Sequence, residues 1–205
     1  VCSSDLSQED LLKYTHTAYV KAKQMKLLVD DLFEYTKVRQ PSVPIHTTTF
    51  DMAQLIEQLA ADFELEAKKI NMQIQVKANP ASLMMEGDTE KLVRVFNNLL
   101  SNALKYGKGG HHIVMEVDKV GTEAIIAVRN DGPAIPKHSL DQLFDRFYRV
   151  EESRSQETGG TGLGLAIAQS IVALHGGYIY AKSDQKWTSF IIHLPLQRTN
   201  KKSES

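Results

Sequence analysis

Only one cysteine, Cys2, occurs in 205 residues, so disulfides play no part in this fold and a reducing compartment fits. No apolar run approaches the ~20 residues of a membrane span, and no signal peptide is visible. The net charge of −1 argues against nucleic-acid binding through bulk electrostatics. Two phosphate-binding patterns are also missing. Gly107-Lys108 is followed by glycine, which excludes a P-loop. Gly160, Gly162 and Gly164 are spaced G-x-G-x-G, with no βαβ unit and acidic residue beyond them, which disfavours a dinucleotide fold. His111-His112 lacks a third ligand at metal-site spacing and reads as a loop. What is present is 42% apolar residues, enough for one good core plus an appendage.

The most informative segment is Asn98-Leu99-Leu100-Ser101-Asn102-Ala103-Leu104-Lys105-Tyr106. At 3.6 residues per turn, Asn98, Asn102, Lys105 and Tyr106 share one helix face, and Leu92, Phe96, Leu99, Leu100 and Ala103 share the other. Amide oxygens can ligate a hard cation, an amine can neutralise phosphate, and a phenol can lie against an aromatic base. An amphipathic helix with a solvated polar face would show the same pattern, so the companion segments decide. Gly159-Gly160-Thr161-Gly162-Leu163-Gly164-Leu165 runs straight into the apolar stretch Ala166–Leu174. Unpaired N–H groups at that helix start suit phosphate, and absent Cβ atoms admit close approach, although a plain flexible turn has the same composition. Between them, Asn130-Asp131-Gly132-Pro133-Ala134-Ile135 forms a turn after a strand-like alternation. Leu143-Phe144-Asp145-Arg146-Phe147-Tyr148-Arg149 packs three aromatics among two arginines; Phe144 and Phe147 read as core, and the arginines can equally be surface charges.

With these four segments in order, residues 48–196 resemble the ATP-binding catalytic domain of two-component sensor histidine kinases. The segments match its N box, G1 box, F box (Leu143–Arg149) and G2 box (Gly160–Leu165). The resemblance implies an α+β fold, a two-layer α/β sandwich of the histidine kinase, Hsp90 and gyrase type, with ATP between the N-box helix and a lid. Asn102 is then the Mg2+ ligand, Asn98 contacts phosphate or metal-bound water, Lys105 touches phosphate, and Tyr106 touches adenine or ribose. The lid would span residues 137–159, with Arg146 and Arg149 on the phosphate side, and Gly160, Thr161, Gly162, Leu163, Gly164 and Leu165 would form the phosphate loop. In the G1 box, Asn130, Asp131, Gly132 and Ile135 would bind ATP, with the Asn130 position hydrogen-bonded to the adenine amino group. Two departures stand out there: Asn130 occupies the usual aspartate position, with Asp131 one place on, and Ala134 replaces a glycine. An asparagine oxygen still accepts from an exocyclic amine, without charge. Trp187-Thr188-Ser189 stand where the family has glycines, with no functional consequence attached.

Patterning supports such a fold independently. Asp51 is predicted to cap a helix reaching Lys69, and Asp88 to open the N-box helix. Ile74 and Val76 mark a strand, 113–117 and 124–128 a hairpin around Gly121, Leu163–Leu174 a helix, and 178–181 and 190–194 the closing strands. Leu11, Thr15, Ala18, Ala22, Met25, Val29, Leu32 and Thr36 repeat at steps of four and three, widened by Leu28 and Phe33, which is coiled-coil spacing.

Residues 7–40 therefore resemble the second helix of the dimerisation and phosphotransfer hairpin, 41–47 a linker, 48–197 the ATP-binding domain and 198–205 a disordered tail. His16 is followed by Thr17 and lacks the proline expected after a phosphoacceptor histidine, so it reads as a surface residue. Residues 1–6 match what a common sequencing adapter encodes in one frame and are expected to be non-native, with the histidine-bearing first helix missing from this chain. The expected partners are ATP, a response-regulator receiver domain and a second copy through the hairpin, in the cytoplasmic part of a bacterial membrane protein. The expected reaction is transfer of the ATP γ-phosphoryl to a histidine, for relay to an aspartate. Two rivals were a non-catalytic ATP-gated module and a gyrase- or chaperone-like ATPase; the latter is disfavoured because Asn98 stands where those enzymes carry a glutamate.

Overall fold

A computed structural model describes residues 7–40, 44–107, 109–150 and 160–197. The expectations for residues 1–6 and 198–205, and those for 41–43 and 151–159, lie outside the described residues. Chain order is α1 (Gln8–Val38), β1 (Thr48–Asp51), α2 (Met52–Lys69), β2 (Gln73–Asn79), β3 (Met84–Gly87) and α3 (Thr89–Tyr106). It continues with β4 (His112–Val120), β5 (Glu123–Asn130), α4 (Lys137–Leu140), α5 (Gly164–Leu174), β6 (Tyr178–Ser183) and β7 (Thr188–Pro195). The main sheet has order β2-β4-β5-β7-β6, with β2 parallel to β4 and the other pairs antiparallel. A separate antiparallel pair, β1 with β3, was not foreseen.

The core follows from the period of two along each strand. Val117, Ile126, Ile192 and Ile179 form one cross-sheet row, Met115, Val128 and Phe190 the next, and all are buried. Three helices cover that face, α3 packing against both α2 and α5. Leu92, Phe96, Leu99 and Leu100 on α3 are fully buried, each worth roughly 1.5–3 kcal/mol of hydrophobic stabilisation. The sandwich expected from the sequence is the one observed.

Carboxylate caps set the helix starts. Asp51 Oδ1 accepts from the N–H groups of Ala53 (2.9 Å) and Leu83 (3.0 Å), joining α2 to the segment before β3. Asp88 accepts from Lys91 N–H at 3.1 Å, Lys91 Nζ at 2.8 Å and His46 N–H at 3.1 Å. Burial works to raise the Asp88 pKa, but the lysine and these N–H donors outweigh it and hold the carboxyl below its ordinary range. The Asp88 N–H in turn donates to buried His175 Nε2 at 3.0 Å, tying the start of α3 to the end of α5.

α1 meets the domain through a face that the sequence pattern did not single out. The heptad stripe is left outward, with Leu11, Met25, Val29, Leu32 and Phe33 all exposed. A second line, Asp31, Tyr35 and Val38, turns toward the domain instead, with Tyr35 and Val38 buried.

Candidate nucleotide site

A cavity of about 550 Å³ opens between α3, the G1 turn, the F-box segment and the start of α5. The face predicted for α3 lines it: Asn98, Asn102, Lys105 and Tyr106, joined by Ser101. Asn98 Nδ2 donates to Gly164 O at 2.9 Å, which fixes the start of α5 and leaves the Asn98 amide oxygen as its remaining acceptor. Gly160, Thr161, Gly162, Gly164 and Leu165 complete that wall. Leu163, the N-cap of α5, supplies no side-chain cap, so the helix presents its first N–H groups without one. The helix begins one residue later than expected, at Gly164.

Charge is concentrated at the same end. Burial, and then the nearby Arg149 guanidinium, pull the Lys105 pKa down to about 8. The half-buried Lys105 ammonium thus lies in the field of a like-charged guanidinium, beside the glycine loop that leads into α5. Gly160 passes close to the lysine head: a Cβ on it would stand 2.6 Å from Lys105 Nζ, so a larger residue would push the amine aside.

The opposite end is apolar with two polar marks. Asn130 is 5% exposed and continues the inward row of β5 after Ala124, Ile126 and Val128. Thr188 is its partner on β7, and both line the cavity with Ile135, Leu143 and Phe190. Thr188 Oγ1 lies 2.7 Å from Ser183 Oγ, which accepts the Ile135 N–H at 2.9 Å, so the G1 turn is pinned to the sheet.

Four expected site residues stand elsewhere. Asp131 Oδ1 accepts from the N–H groups of His111 (2.7 Å) and His112 (2.8 Å), and Oδ2 pairs with His112 Nδ1 at 2.8 Å. Burial alone would raise its pKa; the His112 and His111 contacts reverse that and lower it. Its carboxylate thus holds the start of β4 and does not line the cavity. Gly132 supports the site from behind, since a Cβ there would meet Gly107 Cα at 2.5 Å. Leu163 is fully buried in the core. Arg146 is directed to α1, its Cζ 5.7 Å from the Tyr35 ring centroid.

Phe147 also departs from its core assignment. It is 58% exposed, because a positive φ of 61° turns the chain so that its N–H donates to Gly162 O at 3.0 Å. Phe144 does pack inward, edge-on against Phe190. Sequence reasoning missed Thr188, Leu27 and Asp31 as lining residues. The continuing inward alternation of β7 was the available signal for Thr188.

The family model for histidine kinase-, DNA gyrase B- and HSP90-like ATPases matches residues 87–198, which include the α3 wall, the G1 turn and the glycine loop. The chain belongs to this ATPase family. The sensor protein VanS of Enterococcus faecium is 36% identical over 191 residues, 93% of this chain and 49% of that protein. The sensor histidine kinase WalK of Bacillus subtilis is 34% identical over 180 residues, 86% of this chain and 29% of that protein. The chain therefore spans about half the length of VanS and less of WalK. Among solved structures, the catalytic domain of the histidine kinase ThkA superposes with a TM-score of 0.67 at 28% identity, covering 75% of this chain and 97% of that one. Within the ATPase family, this is the catalytic domain of a sensor histidine kinase.

Proposed function

We propose that the cavity binds ATP with Mg2+ and that the chain is the ATP-binding catalytic portion of a sensor histidine kinase. In the intact protein, the γ-phosphoryl of ATP passes to a histidine and then to an aspartate of a response-regulator receiver domain. The observation that carries this reading is one cavity lined by Lys105 with Arg149 beside it, by the glycine loop that leads into α5, and by Asn130 among apolar side chains. The residues present fit a nucleotide: the cations and helix terminus match phosphates, and Asn130 offers an amide to a base.

For the metal, the donor set is spare. Among the described residues, no group of three or more His, Cys, Asp or Glu side chains is arranged to hold an ion. Magnesium bound largely by phosphates and water needs few protein ligands, and Asn102 is assigned as one of them. Bound there, the ion supplies neutralisation of phosphate charge. Lys105 and Arg149 add positive charge at the phosphates, Asn98 holds the helix start against them, and the Asn130 end orients the base. Such a site works by positioning and electrostatics, with the nucleophile supplied by a separate histidine.

Residues 7–40 are assigned to the dimerisation hairpin, and 48–197 to the ATP-binding domain. The outward stripe of α1, with Leu32 46% and Phe33 70% exposed, supports pairing with helices of a second copy. No helix among the described residues is long and apolar enough to cross a membrane. We assign the chain to the cytoplasmic part of a bacterial membrane sensor.

Calorimetric titration with ATP, with and without Mg2+, tests the assignment. Asn102→Ala is expected to weaken Mg-ATP binding by about tenfold or more, as for loss of one contact to a charged group, while metal-free nucleotide binds as in the wild type. Equal loss in both titrations would remove Asn102 from the metal.

A further inference from the structure

We propose that α1 is a clasp on this cavity, in which Asp31 and Tyr35 are positioning residues that hold the glycine loop and the F-box turn in place; the role in nucleotide binding rests on the reading of the cavity given above. Leu27, Asp31 and Tyr35 follow one another at steps of four, so they share one face of α1. Leu27 and Asp31 line the cavity itself. Asp31 Oδ2 accepts from Thr161 Oγ1 at 2.7 Å, and Oδ1 accepts from Arg94 NH2 on α3 at 2.8 Å. Thr161 Oγ1 also accepts the Leu163 N–H at 3.2 Å, so the carboxylate acts on the residues that open α5.

One turn further along α1, buried Tyr35 meets the other loop. Its hydroxyl accepts from Arg39 NH1 at 2.8 Å, and the Arg146 guanidinium lies over its ring at 5.7 Å. The two loops are themselves joined by the Phe147 N–H to Gly162 O bond. Three groups from distant parts of the chain thus meet on one face of one helix: Arg94, Thr161 and Arg146.

The charge pattern explains why the contact matters to a polyanion. A carboxylate in the wall of a phosphate-binding cavity repels the ligand unless its charge is engaged elsewhere. Arg94 and Thr161 engage both oxygens of Asp31. While α1 is docked, the glycine loop is held where it lines the cavity, and the Asp31 carboxylate that holds it is neutralised by Arg94; once α1 leaves, the loop loses that restraint. Nucleotide affinity and α1 docking are therefore coupled, and each favours the other by the same factor.

The test uses the full chain with a fluorescent ADP analogue. Stopped-flow dissociation is expected to be about tenfold faster in Asp31→Ala and in Tyr35→Leu, within the usual range of coupling between sites. Thr161→Val should behave alike, and its effect should be smaller on top of Asp31→Ala than alone, because the contact between the two side chains is then already lost. Hydrogen exchange on the nucleotide-free protein reports on the clasp without any ligand. There, Asp31→Ala should increase exchange at the Phe147 and Leu163 amides while core strands stay protected. A lowered melting temperature with unchanged dissociation and exchange would make Asp31 a merely structural residue and overturn the clasp. Failure of the wild type to bind the ADP analogue would overturn the nucleotide reading instead, and the exchange measurement would still decide whether the clasp exists.

Discussion

With Lys105 at the phosphates as proposed, nucleotide affinity is expected to depend on pH in a direction opposite to that of the protein's own stability. In the ligand-free chain its pKa is about 8, lowered by burial and then by Arg149. Phosphate arriving beside the ammonium supplies the missing counter-charge and raises that pKa toward its ordinary range of about 10.4. Binding then takes up a proton between the two values. Affinity is flat below about pH 7.5, where the amine is already mostly charged, and falls as pH rises through 8. At about pH 9.5 only ~3% of the free amines carry a proton, so affinity should drop roughly 20-fold from its value at about pH 7.5. The last phosphate ionisation, at about 6, is complete throughout this window and does not contribute.

Stability has the other sign. The unfolded lysine binds its proton more tightly than the folded one, so the ligand-free protein gains stability from this group as pH rises from about 8 to about 10. Calorimetry at pH 8 in buffers of different ionisation enthalpy should register uptake of about half a proton on ADP binding. Lys105→Gln should abolish that uptake, flatten the pH profile and weaken binding at neutral pH. Equal affinity of the wild type at about pH 7.5 and 9.5 would refute the placement of Lys105 at phosphate.

Two further substitutions probe the scaffold. His175 is 4% exposed; its Nδ1 meets Ile171 O, an acceptor, at 2.8 Å, so Nδ1 donates and Nε2 accepts the Asp88 N–H. His175→Ala should cost about 2–4 kcal/mol in urea unfolding by orphaning that N–H and opening a cavity; an unchanged midpoint and slope would show that the link carries no energy. Gly132→Ala drives a methyl to 2.5 Å from Gly107 Cα, a backbone atom without a rotamer to yield. It should lose about 1–3 kcal/mol in thermal unfolding and weaken nucleotide binding through the displaced Asn130; a variant as stable and as tight-binding as the wild type would refute the close-packing argument.

Most of this architecture was legible because local signals and core pattern agreed. Asp51 and Asp88 were readable as caps, and Leu92 through Ala103 as a buried face, since both rest on spacing within a single helix. Gly121 marked the hairpin and has the positive φ of 58° that such a turn requires. The β1–β3 pair was not legible: Thr48–Asp51 has only four residues, without apolar alternation, and finds its partner more than thirty residues on. The docking face of α1 was missed for a related reason. Its heptad stripe is the stronger hydrophobic signal, whereas the face that meets the domain consists of Asp31, Tyr35 and Val38, whose partners lie far along the chain. Thr188 enters the cavity through its register with Asn130, which is a cross-strand fact.

That register also settles the relation between Asn130 and its acidic neighbour. An aspartate one position after an asparagine invites the reading that the charge has merely shifted along the turn. In extended chain, however, successive side chains point to opposite faces, and the inward row Ala124, Ile126, Val128 ends on Asn130. Asp131 falls on the other side, where its carboxylate is consumed by the His111 and His112 N–H groups and the His112 ring. It cannot substitute for Asn130 without breaking the start of β4. The Asn130 end of the cavity is therefore marked by a neutral amide and a threonine hydroxyl, and the charges that line the cavity among the described residues come from Lys105, Arg149 and Asp31 on α1. On the proposed reading, phosphate recognition and base recognition are separated along the site, the first electrostatic and sensitive to pH and salt, the second a matter of shape and uncharged hydrogen bonds.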